Sequence, residues 1–129
     1  MSDTQTPNSP LSLLLCEDEP LIMIDLADVL RGHGHTVTEA ATGSDGLKAL
    51  AAREFDILIA DISLPDISGV ELARAARLQF PDIGIIFATA HMDIHETLQI
   101  ELAIKVSKPY GEEDIVGAIE RARPVKRPR

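Results

Sequence analysis

The chain has 129 residues, of which 45% are hydrophobic, 26% are charged and only 3% are aromatic. This length and composition predict one soluble domain with an aliphatic core. The formal net charge of −9 argues against general nucleic-acid binding, which needs a basic surface, and suits a protein that holds a cation. The single cysteine, Cys16, excludes an internal disulfide. Because no apolar segment reaches the ~18 residues of a membrane helix and the first ten residues do not resemble a signal peptide, we expect a cytoplasmic protein.

Five short apolar runs alternate with helical patterns, between a polar lead at residues 1–10 and a basic tail at residues 123–129. The lead contains two prolines and is expected to be disordered. The runs predict buried strands at residues 11–16, 35–40, 57–60, 83–88 and 102–106. Runs without polar alternation are typical of a parallel sheet that is covered on both faces. We therefore expect residues 11–122 to form a single α/β domain.

Segments of helical periodicity follow the strands. They lie at residues 20–32, 42–51, 69–79 and 112–121, with a weaker pattern at residues 91–100. Pro20 suits a first helical turn, and Thr42 or Ser44 can cap the second helix. The last helix has acidic residues at its start and arginines near its end, as the helix dipole favours. Right-handed crossovers would then build a doubly wound sheet, which binds ligands at the carboxyl ends of its strands.

Polar side chains collect at the predicted carboxyl edge of this sheet. The strands are followed, in chain order, by Glu17 and Asp18, by Asp61, by Thr89, and by Ser107 and Lys108. Three neighbouring carboxylates repel each other, which raises at least one pKa, and a divalent cation offsets that repulsion. An open site with oxygen ligands suits Mg²⁺, while lysine and threonine suit phosphate oxygens. A carboxylate nucleophile, a metal and a lysine are the components of phosphoryl transfer onto aspartate.

Four motifs at these strand ends together resemble the receiver domain of bacterial two-component response regulators. The motifs are LLLCEDEP, DISLPDISG, FATA and SKPY. Each motif alone is weak, but four in order, each at a strand end, make a specific signal over residues 11–122. The resemblance implies a flavodoxin-like fold with a five-stranded parallel sheet in the order 2-1-3-4-5. It leaves the fourth helix, at residues 91–100, open.

The resemblance also implies roles for individual residues. Asp61 would accept a phosphoryl group from a histidine kinase or a histidine phosphotransferase. Lys108 would pair with a phosphoryl oxygen, and Thr89 would turn inward to bond the phosphate. The implied Mg²⁺ ligands are Glu17, Asp18, Asp61 and the backbone carbonyl of Ser63. Pro65 and Gly69 would fix the path of the loop that leaves Asp61 exposed beside the metal.

The sequence departs from the usual pattern of the family at several positions. Lys105 stands three positions before Lys108, where an aromatic switch residue is usual, which calls the common threonine–aromatic coupling into question. The stretch FATA is similar to the FAT-G motif of a subgroup of mostly stand-alone receivers from alphaproteobacteria, with Ala90 in place of the glycine. Ser63 and His91 are expected to tune the lifetime of the phosphoryl group. Neither residue has a carboxylate or carboxamide that could orient an attacking water, although the His91 ring could partly do so. We therefore hypothesise slow autodephosphorylation.

The expected protein is a single-domain phosphorelay switch rather than an enzyme. It would be monomeric and would bind neither nucleic acid nor membrane. It would act on a downstream protein through the face formed by the helical pattern at 91–100, the strand at 102–106 and the helix at 112–121. The alternative is a phosphorylation-independent pseudo-receiver, which Lys105 keeps open. A haloacid-dehalogenase-type phosphatase is disfavoured because Ser63 replaces that family's second aspartate. A flavodoxin-like electron carrier is disfavoured because its phosphate loop and flavin-stacking aromatics are missing.

In the GHGH motif, His33 and His35 make an incomplete zinc site, so a helix stop explains them better.

Overall fold

The computed structural model describes residues 9–90 and 100–124, which form one parallel sheet in the order β2-β1-β3-β4-β5. The strands are β1 (Ser12–Cys16), β2 (Thr36–Ala40), β3 (Ile57–Asp61), β4 (Gly84–Thr89) and β5 (Ile104–Ser107). The helices in these residues are α1 (Pro20–Gly32), α2 (Gly43–Ala52), α3 (Gly69–Gln79) and α4 (Glu112–Ala122). The fold class and strand order predicted from the sequence are confirmed. None of these helices is long and apolar enough to cross a membrane.

Hydrophobic side chains pack on both faces of the sheet, which explains why the strand sequences lack polar alternation. Along β1, Leu13 and Leu15 pack with residues of α1 and α4, whereas Leu14 and Cys16 pack with residues of α2 and α3. All four side chains are at most 1% exposed. Full burial of one leucine contributes roughly 1.5–3 kcal/mol. The sheet is therefore a firmly packed frame for the residues at its carboxyl edge.

The helices begin where the sequence signals predict. α1 starts at Pro20, and α3 has the predicted bounds. The cap of α2 is Thr42 and not Ser44, because the Thr42 Oγ1 atom accepts a hydrogen bond from the backbone N–H of Asp45 at 3.0 Å. Ser68 caps α3 in the same way. These caps satisfy backbone N–H groups that the first helical turn leaves without a partner.

All five strand predictions differ from the structure by one or two residues at one end or at both, and β4 and β5 differ most. β4 begins and ends one residue later than predicted, and β5 begins at Ile104 rather than at Leu102. Leu102 has a φ of 60° and is 87% exposed, so it lies in a turn before the strand. Arg77 of α3 donates from Nη1 to the carbonyl oxygen of Glu101 at 2.7 Å, which ties this turn to the helix. The apolar character of Leu102 predicts a strand, but tertiary contacts decide its conformation.

Several predictions fall on residues that the structure does not describe. These are residues 91–99 of the weak helical pattern at 91–100, residues 1–8 of the lead and residues 125–129 of the tail. At the ends of the described chain, the Arg123 guanidinium donates to the carbonyl oxygen of Ser9 at 2.7 Å and to its hydroxyl at 2.9 Å. The two ends of the described chain are therefore bonded to each other.

Candidate functional site

An ammonium group lies between two carboxylates at the carboxyl edge of the sheet. Lys108, which follows β5, donates from Nζ to Oε1 of Glu17 at 2.8 Å and to Oδ2 of Asp61 at 2.9 Å. Glu17 follows β1 and Asp61 ends β3. The backbone N–H of Lys108 also donates to the carbonyl oxygen of Thr89 at 2.8 Å, which ties the lysine to the end of β4. The structure thus brings together four of the residues that the sequence predicts at this edge.

Glu17 is the most buried member of this ion-pair cluster, with a side chain that is 2% exposed. Burial raises the pKa of the Glu17 carboxyl, and hydrogen bonds from Lys108 and from the backbone of Glu19 oppose that rise. Burial by itself would lower the pKa of the Lys108 ammonium, but its hydrogen bonds to Glu17 and Asp61 outweigh burial and raise that pKa. The lysine therefore stays charged at neutral pH and compensates two carboxylates that repel each other.

Asp61 is held on both carboxylate oxygens and stays accessible. Its Oδ1 atom accepts a hydrogen bond from the backbone N–H of Ser63 at 3.0 Å, while Oδ2 contacts Lys108. The side chain is 13% exposed. Because a carboxylate oxygen can accept two hydrogen bonds, these contacts orient the group without using its full acceptor capacity. A fixed, accessible carboxylate next to a cation has the properties of a nucleophile.

Asp18 adds a third carboxylate to the cluster. One oxygen from each of Glu17, Asp18 and Asp61 lies within 4.8 Å of the others. Three carboxylates beside the single ammonium of Lys108 leave a formal excess of two negative charges, which a divalent cation balances. The donors are hard oxygen atoms, and the exposed Asp18 keeps one side open to solvent. This donor set fits Mg²⁺, which retains several waters and binds few carboxylates.

Residues 62–69, here named the acceptor loop, hold the backbone next to Asp61. The N–H of Gly69 donates to the carbonyl oxygen of Ile62 at 2.9 Å, and Ser63 and Ser68 form an antiparallel bridge. A Cβ atom on Gly69 would overlap the carbonyl oxygen of Asp61. The loop can therefore close so near to Asp61 only because residue 69 has no side chain.

Of the other predicted site residues, two lie in strands next to the cluster. Thr89 is 3% exposed at the end of β4, so its side chain is buried at this edge of the sheet. Lys105 is half-buried and lies opposite Phe87 in the β4–β5 register. Because residue 105 is a lysine, this point of β5 has no aromatic side chain that could act as a switch. His91 lies outside the described residues.

The two histidines of the GHGH motif have separate contacts. The ring Nδ1 of His35 accepts a hydrogen bond from the backbone N–H of Leu11 at 3.1 Å. The ring Nε2 of His33 lies 2.8 Å from Oε2 of Glu112, at the start of α4. Both histidines thus connect the region after α1 to other elements, as expected for a structural turn.

Two residues gain importance only in the structure. Asp66, in the acceptor loop, binds backbone N–H groups of α2 that are 22 and 23 residues away in the chain, and no local sequence pattern could show this.

The Tyr110 hydroxyl is buried without a hydrogen-bond partner among the described residues, and burial raises the pKa of Tyr110 to about 12. Tyr110 lines a cavity of about 410 Å³ between α1 and α4 that reaches Lys108. In the sequence, the feature that singles out Tyr110 is its position directly after Lys108 and Pro109.

The fold and the ion-pair cluster agree with the family to which the sequence belongs. Residues 13–120 match the response regulator receiver domain family, so the chain is a member of that family. It is 31% identical over 113 residues to the transcriptional regulatory protein RprY of Bacteroides fragilis, covering 85% of this chain and 48% of the relative. It is 42% identical over 82 residues to AfsQ1 of Streptomyces coelicolor, covering 64% of this chain and 36% of the relative. The chain thus spans about half the length or less of these curated relatives.

Solved receiver structures share the fold at lower identity. The chemotaxis protein CheY4 of Vibrio cholerae superposes with a TM-score of 0.82 and 23% identity, covering 88% of this chain and 99% of that one. The receiver domain of the sensor histidine kinase PA1611 of Pseudomonas aeruginosa superposes with a TM-score of 0.79 and 24% identity, covering 88% and 98%. That structure has a magnesium ion coordinated in its active site cleft.

Proposed function

We propose that this receiver domain is a Mg²⁺-dependent phosphoryl acceptor in which Asp61 takes the phosphoryl group from a histidine kinase or a histidine phosphotransferase. The observation that carries the proposal is the cluster in which Lys108 bonds both Glu17 and Asp61 while Asp18 lies alongside. Membership of the receiver family supports it. The proposal concerns the receiver domain, and a downstream protein partner reads its phosphorylation state.

In the proposed reaction, an oxygen of the Asp61 carboxylate attacks the phosphorus atom of a phosphohistidine. The new P–O bond forms as the P–N bond breaks, and the electron pair of that bond returns to the imidazole of the donor. Lys108, which already bonds Oδ2 of Asp61, compensates the negative charge of the transferring phosphoryl oxygens. Thr89, buried at the end of β4, donates its hydroxyl hydrogen to the phosphate.

We assign the metal to Glu17, Asp18, Asp61 and the backbone carbonyl of Ser63. When bound, Mg²⁺ supplies positive charge that shields Asp61 from the oxygens of the incoming phosphoryl group. The excess of two negative charges in the cluster and the magnesium ion in the related PA1611 receiver domain support this assignment.

Phosphorylation adds charge at a point where the ends of β1, β3, β4 and β5 meet, which biases a two-state element near the site. The aromatic switch residue of many receivers is absent, because Lys105 holds that position. We therefore propose that the readout follows the FAT-G subgroup, whose motif the chain shares except for Ala90. Ser63 and His91 tune a slow autodephosphorylation.

The test is intact mass after incubation with acetyl phosphate, with and without Mg²⁺. Wild type, Asp61→Asn and Asp28→Asn are compared, because Asp28 is an exposed aspartate of α1 outside the cluster. We expect a Mg²⁺-dependent gain of one phosphoryl group in wild type and Asp28→Asn, and none in Asp61→Asn. If no protein gains mass under conditions that preserve acyl phosphates, the proposal is wrong and a phosphorylation-independent pseudo-receiver becomes the better account.

A further inference from the structure

Asp66 joins the acceptor loop to the first turn of α2. Its Oδ1 atom accepts hydrogen bonds from the backbone N–H groups of Gly43 at 2.8 Å and Ile67 at 3.0 Å, and Oδ2 accepts one from Ser44 at 2.8 Å. These bonds, with that from Ser44 as the largest contribution, lower the pKa of the Asp66 carboxyl. The group is therefore a charged acceptor at neutral pH, suited to the positive end of a helix dipole.

An apolar contact reinforces this polar one. The side chain of Ile67 covers Gly43 so closely that a Cβ atom on Gly43 would overlap it. Ile67 also packs against the core on the α2 and α3 face of the sheet. The tip of the acceptor loop is therefore fixed to α2 by one carboxylate and one aliphatic side chain.

The contact crosses the strand that carries the acidic pair. β1 lies between β2 and β3 in the sheet, so a bond from the loop after β3 to the helix after β2 spans the end of β1, where Glu17 and Asp18 follow. The base of the same loop is closed by the bond from Gly69 to Ile62. Asp61 thus precedes a segment that is fixed at both its base and its tip.

We infer that Asp66 is a positioning residue for phosphoryl transfer, because its bonds to α2 hold the acceptor loop, and with it Asp61, in the geometry that accepts the phosphoryl group. The inference rests on the proposed function of Asp61. If Asp66 were only a helix cap, it would stabilise α2 and its replacement would leave the rate of phosphoryl transfer unchanged. Thr42, which caps the same turn of α2 through Asp45 and does not belong to the acceptor loop, is the matched comparison.

The experiment compares wild type with Asp66→Ala, Asp66→Asn and Thr42→Ala. The maximal rate of phosphorylation by acetyl phosphate at saturating Mg²⁺ is followed by intact mass, and the melting temperature is followed by circular dichroism. We expect both alanine variants to lose thermal stability, because Asp66→Ala removes two side-chain bonds to the start of α2 and Thr42→Ala removes one. We expect the rate of Asp66→Ala to fall about tenfold and that of Thr42→Ala to change less than about twofold, since small displacements of reacting groups are costly. Asp66→Asn should lie between them, because its amide oxygen keeps the bonds from Gly43 and Ile67 and loses the one from Ser44.

Equal rates in Asp66→Ala and Thr42→Ala, with wild type phosphorylated normally, would overturn the inference and leave Asp66 as a helix cap. If Asp66→Ala does not fold, Asp66→Asn decides in the same way: a rate below that of Thr42→Ala at equal or higher melting temperature supports positioning, and an equal rate overturns it. Failure of wild type to be phosphorylated would instead refute the proposed function, and the positioning role with it.

Discussion

Replacing Lys108 with glutamine removes the cation that Glu17 and Asp61 share. Nζ of Lys108 lies 2.8 and 2.9 Å from the two carboxylates, and carboxylate oxygens of the cluster lie within 4.8 Å of one another. Two unit charges 4.8 Å apart repel by about 3.5 kcal/mol at an effective dielectric constant of about 20. Because solvent and side-chain movement relieve part of this repulsion, we expect Lys108→Gln to lower the free energy of unfolding by about 2–3 kcal/mol at pH 8.

The loss should depend on pH through Glu17. Burial raises the pKa of Glu17 in the folded protein, and a carboxyl with a raised folded pKa destabilises the fold increasingly as pH rises from the unfolded pKa through the folded one. Without Lys108 the folded pKa of Glu17 rises further, so the carboxyl takes up a proton more readily as pH falls and the repulsion weakens. We expect the deficit of the variant to shrink by at least about 1 kcal/mol between pH 8 and pH 5. Mg²⁺ at pH 8 should also reduce it.

The assay is urea unfolding followed by far-ultraviolet circular dichroism, since the chain has no Trp. Lys105→Gln is the matched control, because Lys105 is a half-buried lysine of β5 that takes no part in the ion pairs of Lys108. A deficit that is the same at both pH values and unaffected by Mg²⁺, or no larger than that of Lys105→Gln, would refute the electrostatic reasoning.

Four further predictions concern packing and reactivity. Gly69→Ala should lower the free energy of unfolding by at least about 2 kcal/mol, because its Cβ would overlap the carbonyl of Asp61; urea unfolding with an unchanged midpoint would contradict this. Tyr110→Phe should raise the free energy of unfolding by up to about 1 kcal/mol, because it removes a buried hydroxyl that has no partner among the described residues; a loss of stability would show that the hydroxyl is bonded. Cys16, whose pKa burial raises to about 12, should resist iodoacetamide in native protein at pH 8 and react fully in urea, and rapid native labelling would disprove its burial. Ser63→Asn should shorten the life of the acyl phosphate by placing a carboxamide beside it, and an unchanged decay rate would remove Ser63 from the set of tuning residues.

The strand ends were predictable from the sequence because a parallel sheet has one carboxyl edge. Once the apolar runs were identified, Glu17, Asp61 and Lys108 had to meet there, and the structure joins them through Nζ of Lys108. The resemblance of four motifs to the receiver family then supplied the chemistry that geometry alone leaves open. Helix caps can be predicted from the sequence almost as well, since Thr42 is one of the two residues that the sequence offers as the cap of α2.

Other features depend on contacts between residues that are distant in the chain. The bonds from Asp66 to Gly43 and Ser44 join separate loops, and nothing in the sequence around either one indicates the other. The apolar side chain of Leu102 predicts a strand, but its left-handed φ and its exposure show that it lies in a turn. A short apolar run does not reveal which of its residues is exposed, because the tertiary fold decides that.

The most direct test of the central claim is to locate the phosphoryl group on the chain. The protein is incubated with acetyl phosphate and Mg²⁺, reduced with borohydride, which converts an aspartyl phosphate into homoserine, and sequenced as peptides by tandem mass spectrometry. We expect homoserine at position 61, and none there when Mg²⁺ is removed by a chelator. Conversion at another carboxylate, such as Asp18, or conversion at Asp61 that does not depend on Mg²⁺, would contradict it.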